Sequence, residues 1–319
     1  MHWRIVGLVL IAGACGAPAS TTAPPRATAE EPPPPEVAPE PRVEPRTPFR
    51  AVMPESYTSL MYADFETIRQ TAALQAVYTD LVEWVASSRP DLNALTRSAV
   101  LNPFEHGREV ALSSPVRQWT WAFTVSYGER PERLAEAGRT LSDDARDEGR
   151  LSYRRVPGVR DHVPWLAHLG DRRVLVATED ALESAASAPE REVPFLEPGD
   201  LALWHTTEFD RTRFRRAEAP GELLARLRLA ERGNLMLILL GSYPTDEDAG
   251  RAFAQLSSLW AEVSGSFAAS MFVIPQTARL QRDGRQIRFE VQFTGAQAGA
   301  MSHVVFSGMG VPDFEPEAP

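Results

Sequence analysis

Six histidines and 43 acidic residues are the chain's stock of acid–base and metal-binding groups. Their spacing decides what they can do. Asp161, His162 and His168 share a strand-like stretch. Six residues along a strand cover roughly 20 Å, too far for His162 and His168 to hold one metal ion. His205 and Glu208 follow Trp204 on another strand. Their odd spacing puts them on opposite faces, so no shared site is expected. "LSDDARDEGR" gathers Asp143, Asp144, Asp147 and Glu148. A calcium loop needs alternating ligands and a closing glutamate, which this spacing lacks. The stretch reads instead as a solvated helix end. Asp246, Glu247 and Asp248 suit the positive end of a helix dipole better than a metal. There is no serine elbow, phosphate loop, His-Glu-x-x-His or dinucleotide fingerprint. The expectation is no catalytic residue, no metal and no cofactor.

Two groups suit binding rather than reaction. Arg211, Arg213, Arg215 and Arg216, followed by Arg226, Arg228 and Arg232, form a basic cluster. One reading has the first four meeting phosphate head groups. The other makes them the charged side of an amphipathic helix marked by Leu223, Leu224 and Leu227. The second group is apolar. Trp119, Trp121 and Phe123 share one face of a strand, and Leu235 to Leu240 is apolar throughout. With Leu235, Leu237 and Leu239 they would line a groove between sheet and helices, or simply pack the core. A net charge of −10 argues against a nucleic-acid partner. All 33 basic residues are arginine, as GC-rich coding would give.

These residues need elements to hold them. Ser56 to Asp64 reads as a strand, and Glu66 to Ser87 as an amphipathic helix with Leu74, Val77, Tyr78, Leu81 and Val85 on one stripe. "REVALSS" and "WTWAFTV" read as strands. Ala249, Ala252, Phe253, Leu256, Trp260 and Val263 mark a later helix, with Thr245 as N-cap and Asp248 three residues on. "QIRFEVQF" alternates so that one face packs and the other is wet.

The halves resemble each other. "MYADFETIR" matches "WHTTEFDRTRF", and "AFTVSYGERPERLAEA" matches "LILLGSYPTDEDAGRAF". Each half ends in a hairpin, at Gly170-Asp171 and at Asp283-Gly284. A small-residue segment follows each, at Ala181 to Ala188 and Ala296 to Ala300. The first half is longer near Ser88 to Pro115, where "NPFEHGREVALSS" has no clear counterpart. The predicted fold is α+β: largely antiparallel sheets with helices on one face, in two similar lobes from an internal duplication.

The N-terminus reads as a signal. His2 and Arg4 precede an apolar run, Ile5 to Ala12, too short to span a bilayer. Ile11-Ala12-Gly13-Ala14-Cys15 resembles the lipobox of bacterial lipoproteins, and Cys15 is the only cysteine. Three residues before the cysteine stands Ala12, where that family usually has leucine. The resemblance implies that the Cys15 thiol receives a lipid and becomes the new N-terminus. It also implies the outer membrane, since Gly16 follows the cysteine rather than aspartate. From Gly16 to Pro48, prolines alternate with Glu, Arg, Ala and Thr, which suits an extended tether of at most roughly 100 Å.

The expected organisation is a signal peptide at 1–14, lipidated Cys15 and tether at 15–48, lobes at 49–195 and 196–312, and a disordered tail at 313–319. The expected function is a membrane-anchored, non-catalytic binding or scaffolding module in the periplasm or at the cell surface. Its expected partners are the membrane, through the lipid, and an envelope protein. The alternative is a carrier of lipid or another apolar ligand.

Overall fold

Alternation along single strands sets the architecture. In Gln286–Phe293, Ile287 and Val291 are buried and Phe289 and Phe293 half-buried, while Gln286, Arg288 and Gln292 are exposed. Such strands pair in register and present one apolar face. The computed structural model describes residues 48–54, 57–88, 102–114, 122–127, 145–155, 165–170, 172–207, 217–230, 233–264 and 278–299. In chain order its strands are β1 (Arg50–Val52), β2 (Ser59–Asp64), β3 (Glu109–Ser114), β4 (Ala122–Ser126), β5 (Ala145–Glu148), β6 (Leu151–Arg155), β7 (Trp165–His168), β8 (Arg173–Ala177), β9 (Glu190–Glu192), β10 (Asp200–Thr206), β11 (Glu222–Leu229), β12 (Leu235–Ser242), β13 (Arg279–Asp283) and β14 (Gln286–Phe293). The helices are α1 (Phe65–Gln70), α2 (Gln75–Ser88), α3 (Pro103–His106), α4 (Leu182–Ser187) and α5 (Asp246–Ser264), with a further helical turn at 295–299. The fold is α+β.

Among the described residues, twelve strands form one sheet in the order β13-β14-β12-β11-β10-β2-β3-β4-β8-β7-β6-β5, and β1 pairs with β9 in a separate ribbon. Every pairing is antiparallel. The order repeats about its middle. Outward from β2 run β3, β4, β8 and β7; outward from β10 run β11, β12, β14 and β13. Each half is thus a three-strand meander whose third strand pairs with the second strand of a later hairpin. The halves meet edge to edge where β2 pairs with β10. β6 and β5 extend the first half alone.

The two faces have different covers. On one, α1, the helical turn at 72–74 and α3 contribute Phe65, Ile68, Leu74 and Phe104 to a core with Leu201 and Leu235, α2 adds Val77 and Leu81, and α5 packs Ala249 and Ala252 against Ile287. On the other, the β1–β9 ribbon lays Phe49, Ala51, Met53 and Val193 over Leu60, Tyr62 and Leu203. There α4 sets Leu182 and Ala185 on Tyr153, Ala167 and Leu175. A bulge between Asp200 and Ala202 shifts the β10 register. It lets Leu201 join the helix-side core while Leu203 joins the ribbon-side core.

Local signals work as read at two places. The Thr245 Oγ1 accepts from the Asp248 backbone N–H at 3.1 Å and donates to Asp248 Oδ2 at 2.7 Å. In the second-half hairpin Asp283 pairs with Gln286, so Gly284 and Arg285 make the turn, with Gly284 at φ +54°. Only glycine takes that conformation freely.

Four readings change. Leu223, Leu224 and Leu227 lie on strand β11, not on an amphipathic helix. The Arg226-Leu227-Arg228-Leu229 alternation outweighs the leucine doublet, because neighbours on both sides satisfy the backbone. The stretch read as a helix end carries strand β5, which pairs with β6. The 66–87 helix is two, α1 and α2, broken at Thr71, whose backbone is extended and whose Oγ1 donates to the Thr67 carbonyl. Finally, Glu109–Ser114 does have a counterpart: β3 holds the same place beside β2 that β11 holds beside β10.

Candidate functional site

The apolar groove residues divide. Phe123, on β4, and Leu239, on β12, belong to one continuous cross-strand row on the face that carries α1, α2, α3 and α5. The row runs Phe123–Leu112–Met61–Trp204–Ala225–Leu239–Phe289 through directly opposed pairs. Opposed residues of antiparallel strands share a face. Phe123 is buried; Leu112, Met61, Trp204, Ala225, Leu239 and Phe289 are all half-buried. From β3 to β14 the half-buried part crosses five strand spacings, about 24 Å. Trp260 of α5 closes one end, its ring edge-on to Phe289 at 5.3 Å. Trp204 is fixed by its Nε1–H, which donates to Ser59 Oγ at 3.2 Å.

Leu237 shares this face one row along, opposite Leu227 and Val291. Leu235 is fully buried in the core beneath α1 and α2 and is packing, not lining. Trp119, Trp121, Cys15, Arg211, Arg213, Arg215 and Arg216 lie outside the described residues. Arg226 and Arg228 are described, and they meet carboxylates of their own chain. Arg226 pairs with Glu197, and Arg228 with both Glu197 and Asp200. The Asp200 side chain is fully buried. Hydrogen bonds first from Arg228 and then from Arg226 hold the Glu197 carboxyl below its ordinary range. The network ties the turn at 194–199 to β11.

On the same ribbon-side face sits a constellation that sequence reasoning missed. His205 is 5% exposed, flanked on neighbouring strands by Leu60 and Leu224. Its Nε2 lies 2.7 Å from Glu222 Oε1. An ionised carboxylate only accepts, so Nε2 carries the hydrogen. Its Nδ1 is buried without a hydrogen-bond partner among the described residues. Tyr57 stands edge-on to the imidazole at 5.8 Å, and Phe195 covers it at 4.8 Å. Burial, and then the Glu222 charge, push the Tyr57 phenol up, with Arg191 opposing. Glu208, weighed earlier as a partner of His205, lies outside the described residues. The actual partner is 17 residues along, across the strand pair. Reading "GELLARLRL" as a strand would have put Glu222 on one face with Leu224, and the pairing of β11 with β10 then brings that face beside His205.

No family model and no curated protein matches this chain. Three solved structures of a protein called TP0453 are similar in fold. Crystal form III is 11% identical over 79% of this chain and 95% of that one, with a TM-score of 0.47. Crystal form IV is 11% identical over 80% and 97%, with a TM-score of 0.46. Crystal form I is 9% identical over 79% and 94%, with a TM-score of 0.45.

Among the described residues no helix is long and apolar enough to cross a membrane, and no group of three His, Cys, Asp or Glu is placed to hold a metal ion.

Proposed function

We propose that the chain is an envelope lipoprotein whose folded part is a non-catalytic binding or scaffolding module. Cys15 carries the lipid, residues 15–48 form the tether, and duplicated halves 49–195 and 196–312 form the module. The module stands off the outer membrane, in the periplasm or at the cell surface. The observation that supports a binding role is the half-buried row from Leu112 to Phe289. Apolar side chains in contact with water across six adjacent strands gain by being covered, at about 25 cal/mol per Å². The test is envelope cross-linking of tagged wild-type and M61R chains. A specific adduct present in wild type and lost in M61R, with membrane fractionation and the circular dichroism spectrum unchanged, supports the reading. The same adducts in both chains overturn it.

The row also favours the second reading, a carrier of lipid or another apolar ligand. Its length of about 24 Å suits one extended acyl chain lying across the strands. Each methylene buried contributes about 0.8 kcal/mol. Native mass spectrometry of the C15S chain, which has no site for a covalent lipid, then shows a bound lipid mass. A clean unliganded mass ends this reading.

A further inference from the structure

His205 lies on the face opposite the apolar row and belongs to neither reading above. Three observations converge on it. Its Nδ1 is buried and unpaired among the described residues. A buried polar atom without a partner costs free energy that a suitable ligand returns. The hydrogen bond from Nε2 to Glu222 fixes the ring and leaves the neutral imidazole's Nδ1 as an acceptor.

The cover is the third observation. Phe195 sits at φ +62°, and it is the only non-glycine residue at positive φ among those described. For a bulky side chain that conformation is strained. Phe195 is nevertheless 43% exposed, so little packing beyond the imidazole repays the strain. The ends of its turn are fixed, by Val193 in the ribbon-side core and by Asp200 in its pairing with Arg228.

We infer that Phe195 gates a small-ligand site whose recognition atom is His205 Nδ1, and that the site takes a hydroxyl carried on an apolar body. The hydroxyl supplies the donor that Nδ1 lacks. The apolar body would lie among Leu60 and Leu224, the neighbours of His205 on the adjacent strands, and the Tyr57 ring. The ligand enters when Phe195 turns out.

The test uses the full chain labelled with ¹⁵N-histidine, with phenol and toluene as probes of equal shape that differ in the donor. Phenol shifts the His205 Nδ1 resonance and binds about tenfold tighter than toluene. F195G, which removes both gate and strain, tightens both probes alike by about fivefold. H205F removes both ring nitrogens and so the Nδ1 acceptor, and it erases the preference for phenol. The inference is overturned if phenol and toluene bind alike to wild type, if neither binds wild type or F195G, or if the preference survives H205F. Should H205F fail to fold, the wild-type Nδ1 resonance decides: unmoved by phenol, it overturns the site.

Discussion

Met61 on β2 and Trp204 on β10 stand directly opposite each other at the line where the two halves of the chain join. The pair is at once a fold contact and the middle of the apolar row. Sheet continuity therefore depends on the same residues that the proposed binding surface uses.

The halves should unfold together. β2 and β10 pair at five positions, from Ala63–Ala202 to Ser59–Thr206. W204A lowers stability by about 2 kcal/mol, less than a fully buried tryptophan would, because the ring is half-exposed. Circular dichroism and fluorescence should trace one shared urea transition. Two separate transitions would show that the halves are independent.

The helical turn at 295–299 packs tightly on the first half. A Cβ at Gly295 would meet the Ala73 Cα at 2.5 Å, and one at Gly299 the Ala76 Cβ at 3.0 Å. G295A should cost about 1–3 kcal/mol, since backbone must move. G299A should cost less, and A76G should restore it. Thermal melts of the three variants and wild type check the order.

Acid should loosen the turn that carries Phe195. The folded Glu197 carboxyl titrates below its unfolded value of about 4.5, because Arg228 and Arg226 hydrogen-bond its charged form. A depressed folded value gives stability that is complete above the unfolded value and is lost as pH falls through the folded one. The Glu197 side chain is about half exposed, so the effect is modest. Urea midpoints measured from about pH 6 to about pH 3 should fall less steeply in E197Q than in wild type. Parallel slopes would show that the pairing contributes nothing.

Deep burial holds two tyrosines neutral far into alkali. The Tyr153 phenol is pushed up to about 12, first by burial and then by Glu148, and that of Tyr243 to about 12, first by burial and then by Glu218. Each gives stability that is complete below the ordinary value of 10.0 and is lost as pH rises through the folded value. Ultraviolet titration should show these phenols ionising only as the protein unfolds. Free ionisation near 10 in folded protein would contradict their burial.

Signals contained within a few residues were legible in the sequence. Thr245 and Asp248 announce a helix start, and Asp283-Gly284 a hairpin within one residue of its true turn. The repeat was legible because each half carries the same series of such signals. Register was not. Nothing local states that Glu222 lies beside His205, or that Met61 opposes Trp204 across 143 residues (204 − 61). Those contacts follow from which strands pair, and the bulge at Asp200–Ala202 then reverses which way Leu201 faces. The Leu223-Leu224 doublet hid a strand because its two faces are both covered, which removes the alternation at that point.

The central claim, that the sheet face opposite the β1–β9 ribbon is a binding surface, is tested most directly by a photo-crosslinker. Benzoyl-phenylalanine placed at Trp204 in living cells should give a discrete adduct on irradiation, and the same group at exposed Gln281 on edge strand β13 should give none. An adduct of protein mass fits the scaffolding reading, and one of lipid mass the carrier reading. Equal labelling at both positions, or none at Trp204, would contradict the account.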